Sequence, residues 1–559
     1  MLGSRRQLQV RNRTMLSRSL KAFMGATALT LTAGSHALAA NRATATPIKH
    51  LIVIYQENES FDHYFATYPV AANPAGEPAF HAAKDTPTGI NTLANANLLT
   101  NNPNFTNAAN GTGAANPFRL DLTQAATADQ SHAYTPEQQA EDNGAADLFP
   151  LHTGHGTPGG VGAFGTTGQV MGYFDGNTVT ALWSYAQHFA MNDNAYGDTY
   201  GPSTPGALEA VSGQTNGMQI VLNTDHKNTF YVADGQGGFT LMGDVDPAGD
   251  MCSSKSDTAQ MTGKNIGDLL NGARITWGAF MGGFNLSLTD GNGTTGCGRK
   301  TMSTYTGVTS ADYVPHHAWF QFYPSTANPT HARPSSTAAI GRTYEPGTKT
   351  LDPANHEYDI NDFYAAIEAG NFPAVSYIKA PAYQDSHAGY SDPIDEQYFL
   401  VSVINFLQHH HAWADTAVIV AYDDSDGWYD HAYATPTSSS YSTADQLNGS
   451  GICGTGTQAN GVNGLPVNGR CGPGMRLPFL VISPYAKRNY VSHTQISQAS
   501  IIRFIEDNWL AGGRLGGGSF DATAGSIMDM FSFAKADRRN LYLDPQTGTP
   551  VASAQRTTR

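Results

Sequence analysis

The sequence predicts an α/β fold: a central, mostly parallel sheet covered by helices on both faces, with long loop and small β insertions. Three observations carry this. Four continuous apolar runs of strand length, at 50–56, 374–379, 417–422 and 477–482, lack the polar alternation of a half-exposed strand. Helix-length stretches separate the first three of them. Apolar residues at 40% and aromatics at 10% support a globular core, while 59 glycines and only 14% charged residues point to long uncharged loops.

Residues 1–39 read as a signal peptide. Arg5, Arg6, Arg11, Arg13, Arg18 and Lys21 precede an apolar run at 23–33, and Ala37-Leu38-Ala39 supplies small residues for cleavage. Arg5-Arg6 suits twin-arginine export, but its distance from the apolar run leaves the ordinary secretory route equally open, and Met15 is an alternative start. No other run reaches the ~18 residues that span a bilayer. The mature chain is therefore expected to be exported, periplasmic or secreted, with no stable membrane anchor. Removing six basic and no acidic residues takes the formal net charge from −15 to −21, which excludes a general nucleic-acid binder.

Residues 40–542 read as one domain. The run at 50–56 stops on Glu57-Asn58. Residues 71–130 form an Ala-, Asn- and Gly-rich excursion, ending near Asp129-Gln-Ser-His132 and a helix at 136–143. A helix at 179–189 leads to Tyr200-Gly-Pro-Ser-Thr-Pro-Gly206 and the helix formers 207–211. Ser203 or Thr204 there reads as an N-cap, or as a nucleophile at the positive end of a helix. Residues 213–335 read as an insertion with strand pieces at 219–222, 230–232 and 275–280, and His316-His317 lie near its end.

A helix at 360–369 precedes the run 374–379, which leads to His387. Asp392-Pro393 opens a helix striped by Phe399, Leu400, Val403, Ile404 and Leu407. The run 417–422 stops on Asp423-Asp424. A Ser/Gly-rich loop at 434–474, a helix at 497–510 and a frayed tail at 543–559 complete the chain. Cys252 with Cys297, and Cys453 with Cys471, bracket two loops. Sequential pairing is the simplest of three connectivities and would stabilise by roughly 3–4 kcal/mol per bridge. No C-x-x-C spacing suggests zinc.

Glu57, Asn58, Asp423 and Asp424 are hard oxygen donors at strand ends, where α/β folds gather ligands. A cation there would lower the pKa of a nearby hydroxyl and hold a phosphoryl oxygen. His132, His316, His317 and His387 add imidazoles. Each piece also has an ordinary structural role; the combination suggests phosphoester or sulfoester hydrolysis.

These motifs resemble the bacterial phosphoesterase family that contains phosphatidylcholine-type phospholipase C and secreted acid phosphatases, a relative of the alkaline phosphatase superfamily. The resemblance is carried by H-L-I-V-I-Y-Q-E-N-E-S-F-D-H-Y-F (50–65), Y-G-P-S-T-P-G (200–206), Y-D-D-S-D-G-W-Y-D-H (422–431), L-P-F-L-V-I-S-P-Y-A (477–486) and N-Y-V-S-H-T (489–494). It implies an alkaline-phosphatase-like fold. It implies one divalent ion (calcium, magnesium, manganese or zinc) on Glu57, Asn58, Asp423 and Asp424 beside the nucleophile Ser203, with the four histidines lining the phosphate pocket. His493 is a weaker candidate for an outer role.

S-T-P-G and D-D-S-D-G-W look more like the acid phosphatases, so small phosphomonoesters are the expected substrates. A phospholipase C acting on phospholipid and a non-catalytic phosphate- or metal-binding protein are the alternatives. Glu59, where phospholipase C members usually carry Arg, is expected to change substrate charge preference.

Overall fold

A computed structural model describes residues 44–224 and 230–552; the signal peptide expected at 1–39 lies outside them. The main sheet runs through β1 (His50–Gln56), β2 (Ala190–Asn192), β3 (Trp277–Met281), β4 (Glu357–Asp359), β5 (Val375–Lys379), β6 (Thr416–Tyr422), β7 (Phe479–Ile482) and β8 (Tyr490–Ser492). Their order across the sheet is β4-β3-β5-β1-β6-β7-β2-β8. All pairings are parallel except those of β7, which runs antiparallel to both its neighbours. β1, β5 and β6 are buried almost end to end, as their unbroken apolar runs require.

The principal helices are α1 (Tyr134–Glu141), α2 (Thr180–His188), α3 (Ser203–Ser212), α4 (Ile266–Ala273), α5 (Ile360–Glu368), α6 (Pro393–His409) and α7 (Ala499–Trp509). Asp392 caps α6, accepting from the N–H groups of Ile394 and Asp395. Side chains alternate across a strand, so the register tells which helix covers which face. Tyr55 and Tyr377 share one face and donate to the carbonyls of Gly206 and Ala210 in α3. Tyr422 pairs with Gln56, points to the other face, and donates to Glu396 of α6. Helices therefore cover both faces.

Two expectations need correction. The strand piece at 275–280, read as part of an insertion, is β3, inside the main sheet between β4 and β5. The rest of that region does form a separate five-stranded sheet, yet its Met218, Leu241 and Met261 join the same hydrophobic core. The tail also differs from the expected frayed end. Leu543 is buried, and its carbonyl accepts from Asn405 Nδ2 of α6 at 2.8 Å. Residues 553–559 lie outside the described part. Cys252–Cys297 and Cys453–Cys471 are bonded in the sequential pattern.

Candidate active site

The β1–β6 ladder runs from His50 opposite Thr416 to Gln56 opposite Tyr422. One step beyond its end, Glu57-Asn58 stands beside Asp423-Asp424. The chain then turns at Asn58, whose φ of 62° is left-handed backbone that Asn tolerates better than most residues. The Asn58 N–H donates to Asp423 Oδ1 at 3.0 Å, which locks the two strand ends together.

α3 brings the hydroxyl. A Cβ on Gly206 would sit 2.0 Å from the Asp423 carbonyl oxygen, so the first turn of α3 approaches the end of β6 only because residue 206 is Gly. Gly201, at φ 119°, donates its N–H to Glu137 Oε2 at 2.9 Å. Between them Ser203 is not the N-cap. Pro202 holds that position and Ser203 is the first helical residue, so its hydroxyl faces the strand ends instead of its own backbone. Ser203 Oγ lies 2.9 Å from Glu57 Oε2, 3.1 Å from Asp424 Oδ2 and 3.3 Å from Asn58 Oδ1. Thr204 is engaged elsewhere: Asp244 Oδ1 accepts both its N–H and its hydroxyl at 2.9 Å.

One hydroxyl proton serves one of those three acceptors at a time, and the buried Asp423 Oδ2 has only the Lys379 ammonium near it, at 3.6 Å. Carboxylate and amide oxygens left unsatisfied at one point are what a hard divalent cation would complete. The residues present fit the ion that the motifs imply.

All four singled-out histidines reach this neighbourhood. His317 Nδ1 is 3.1 Å from Glu57 Oε1 and 3.8 Å from Asp385 Oδ2. His132 Nε2 is 3.4 Å from Asn58 Nδ2, and its Nδ1 is 3.1 Å from Asp426 Oδ1. The His387 ring lies 5.8 Å from that of His132, and the His316 ring 4.5 Å from that of His317. Burial opposes charge on all of them. In His132 the carboxylates of Asp424 and Asp426 overcome it and hold the imidazolium well above its ordinary range. Asp246 and Asp244 do the same, more weakly, for His316. Burial prevails in His317 and pushes His387 down to about 4.

His493 is exposed and pairs with Asp193 at 2.8 Å, at the β2–β8 end of the sheet. Glu59 is buried, with its carboxylate 3.6 Å from His63 Nε2.

Lys379, Asp385, Asp426 and Asp244 were not singled out from the sequence. Lys379 Nζ is in direct contact with Glu57 Oε1 and 3.6 Å from Asp423 Oδ2. The available signal was a lysine ending an otherwise apolar run. Asp426 lay within a motif already noted, D-D-S-D. A cavity of about 480 Å³ beside Arg299, Tyr383 and Phe399 is lined by none of these groups. Convergent chemistry, and not cavity size, marks the site.

The profile of the Phosphoesterase family matches residues 48–511. The chain belongs to that family. Curated relatives within reach of this phosphoesterase include the non-hemolytic phospholipase C of Pseudomonas aeruginosa, 31% identical over 145 residues, covering 26% of this chain and 21% of that protein. The non-hemolytic phospholipase C of Burkholderia pseudomallei is 23% identical over 480 residues, covering 84% of this chain and 56% of that protein. The chain thus spans about a fifth of the first relative's length and about half of the second's. Among solved structures, murine ectonucleotide pyrophosphatase/phosphodiesterase 5 aligns at a TM-score of 0.28 and 11% identity over 63% of this chain and 95% of that one, a likeness too weak to carry an argument.

Proposed function

We propose that this chain is an exported, metal-dependent acid phosphatase that hydrolyses small phosphomonoesters through a phosphoserine at Ser203, on an alkaline-phosphatase-like fold. One observation carries the proposal: Ser203 Oγ, at the head of α3, lies within 2.9–3.3 Å of oxygens from Glu57, Asn58 and Asp424. These three residues, Asp423 and Ser203 would hold one divalent ion. Calcium, magnesium, manganese and zinc all suit a set of this kind. When bound, the ion supplies positive charge that acidifies the Ser203 hydroxyl and offsets charge on the phosphoryl oxygens.

The chain's own groups do the rest. Ser203 Oγ passes its proton to the carboxylate it touches, Glu57 or Asp424, attacks phosphorus, and the P–O bond to the leaving group breaks. An imidazole from the set His132, His316, His317 and His387 gives its proton to the departing oxygen, and the others hold phosphoryl oxygens. Water then attacks the phosphoserine, releasing phosphate and returning a proton to Ser203. Export is supported by the amino-terminal pattern at 1–39 and by two disulfides, which persist outside the cytosol.

A second reading, a phospholipase C acting on phosphatidylcholine-type diesters, is favoured by the names of the relatives. Assays of the purified protein on p-nitrophenyl phosphate and on phosphatidylcholine separate the two. Monoester turnover exceeding diester turnover is expected. Strong diester cleavage with negligible monoester cleavage would select phospholipase C. Phosphate or metal binding without turnover of either would leave a non-catalytic binding protein.

A further inference from the structure

Ser203 and the other oxygens stand on one side of Glu57; its second oxygen faces a different set. Glu57 Oε1 is 3.1 Å from His317 Nδ1, and that nitrogen is 3.8 Å from Asp385 Oδ2. Glu57, His317 and Asp385 are buried and offer ligand atoms that all lie within 4.8 Å of one another. Two carboxylates and an imidazole at this spacing are a donor set for another divalent cation.

The Glu57 oxygen of that set is already taken. Lys379, the last residue of β5, brings its ammonium into direct contact with Glu57 Oε1 and to 3.6 Å from Asp423 Oδ2. The backbone fixes it there. β5 is paired on both sides, with Ile54 opposite Ile378 and Met281 opposite Lys379, and the lysine side chain is 2% exposed. No swing to solvent is open to it.

We infer that Lys379 is a positioning residue standing in for a second divalent ion: it ties up one oxygen of Glu57, leaves the other for the catalytic ion, and limits the site to a single metal. The inference rests on the metal-dependent chemistry proposed above. Charge favours it. A second ion sharing Glu57 Oε1 with the ammonium would meet like charge at contact distance in a buried place. Lysine suits the task because its charge is compact and needs no planar partner.

Titrating the metal-stripped full-length protein with Mn²⁺ by calorimetry, with bound ions counted by elemental analysis, tests this. Wild type should take one equivalent, Lys379→Met two, and Lys379→Arg one. Lys379→Met combined with Asp385→Asn should return to one, because the second position loses a ligand. A Lys379→Met protein with the wild-type circular dichroism spectrum that takes one equivalent overturns the inference, and so does wild type taking two. Lys379→Gln is a second neutral variant, read in the same way. Wild type taking none would instead remove the metal-dependent chemistry itself.

Discussion

Ser203 has one proton and three acceptors within 3.3 Å, whereas Thr204 satisfies its own hydroxyl on Asp244. That asymmetry separates two adjacent hydroxyls that the sequence left as rivals. Ser203→Ala should lower turnover of p-nitrophenyl phosphate by ~10³-fold or more, and Thr204→Ala by less than about tenfold. Steady-state kinetics on the two variants checks this, and the reverse ranking would move the nucleophile to Thr204. Glu57, Asn58, Asp423 and Asp424 were legible because they interrupt apolar runs, a purely local signal. Lys379 and Asp385 were not, since what they do depends on which strand lies alongside. The cap reading of Ser203 failed by one residue, because Pro202 already occupies the non-helical position.

Among elements, α3 and α6 make separate demands. α3 is held close to β6 by the absence of a side chain at residue 206, so Gly206→Ala must shift either the helix or the Asp423 carbonyl. The expected outcome is at least a tenfold loss of turnover in a protein that still folds; wild-type turnover would show that the approach does not position Ser203. On α6, Glu396 accepts from Tyr422 at 2.5 Å and Tyr64 at 3.1 Å, and burial pushes its carboxyl up from 4.5 to about 8. The folded protein keeps that proton up to about pH 8, while the unfolded chain releases it near 4.5. The stabilisation is complete below 4.5 and is lost as pH rises through 8. Glu396→Gln should flatten this part of the Tm-against-pH curve, and an unchanged slope would assign it to other groups. β1, β5, β6 and β7 were legible as unbroken apolar runs. β2, β4 and β8 are three residues long each, too short for any periodicity to register, and β3 was set apart by the long polar loops around it.

In the whole molecule, the proposed ion would be coupled to the fold, because Glu57, Asn58, Ser203, Asp423 and Asp424 converge only after the sheet has formed. A ligand that binds only the native state stabilises it by ~2.7 kcal/mol at a hundred times its dissociation constant. Chelation is therefore expected to abolish turnover and lower Tm together, with added Mn²⁺ restoring both. A protein shown by elemental analysis to be ion-free that keeps its Tm and its turnover would refute the coupling. The same convergence has a temporal side. β1 emerges early in synthesis, but its partner β6 and the ligands Asp423-Asp424 follow more than three hundred residues later. A nascent or truncated chain ending before Asp424 holds Ser203 with no completed oxygen cradle around it. Whatever chemistry the site performs starts only when the chain has been made and paired through Asp424, so the register of one ladder also acts as a clock on activity.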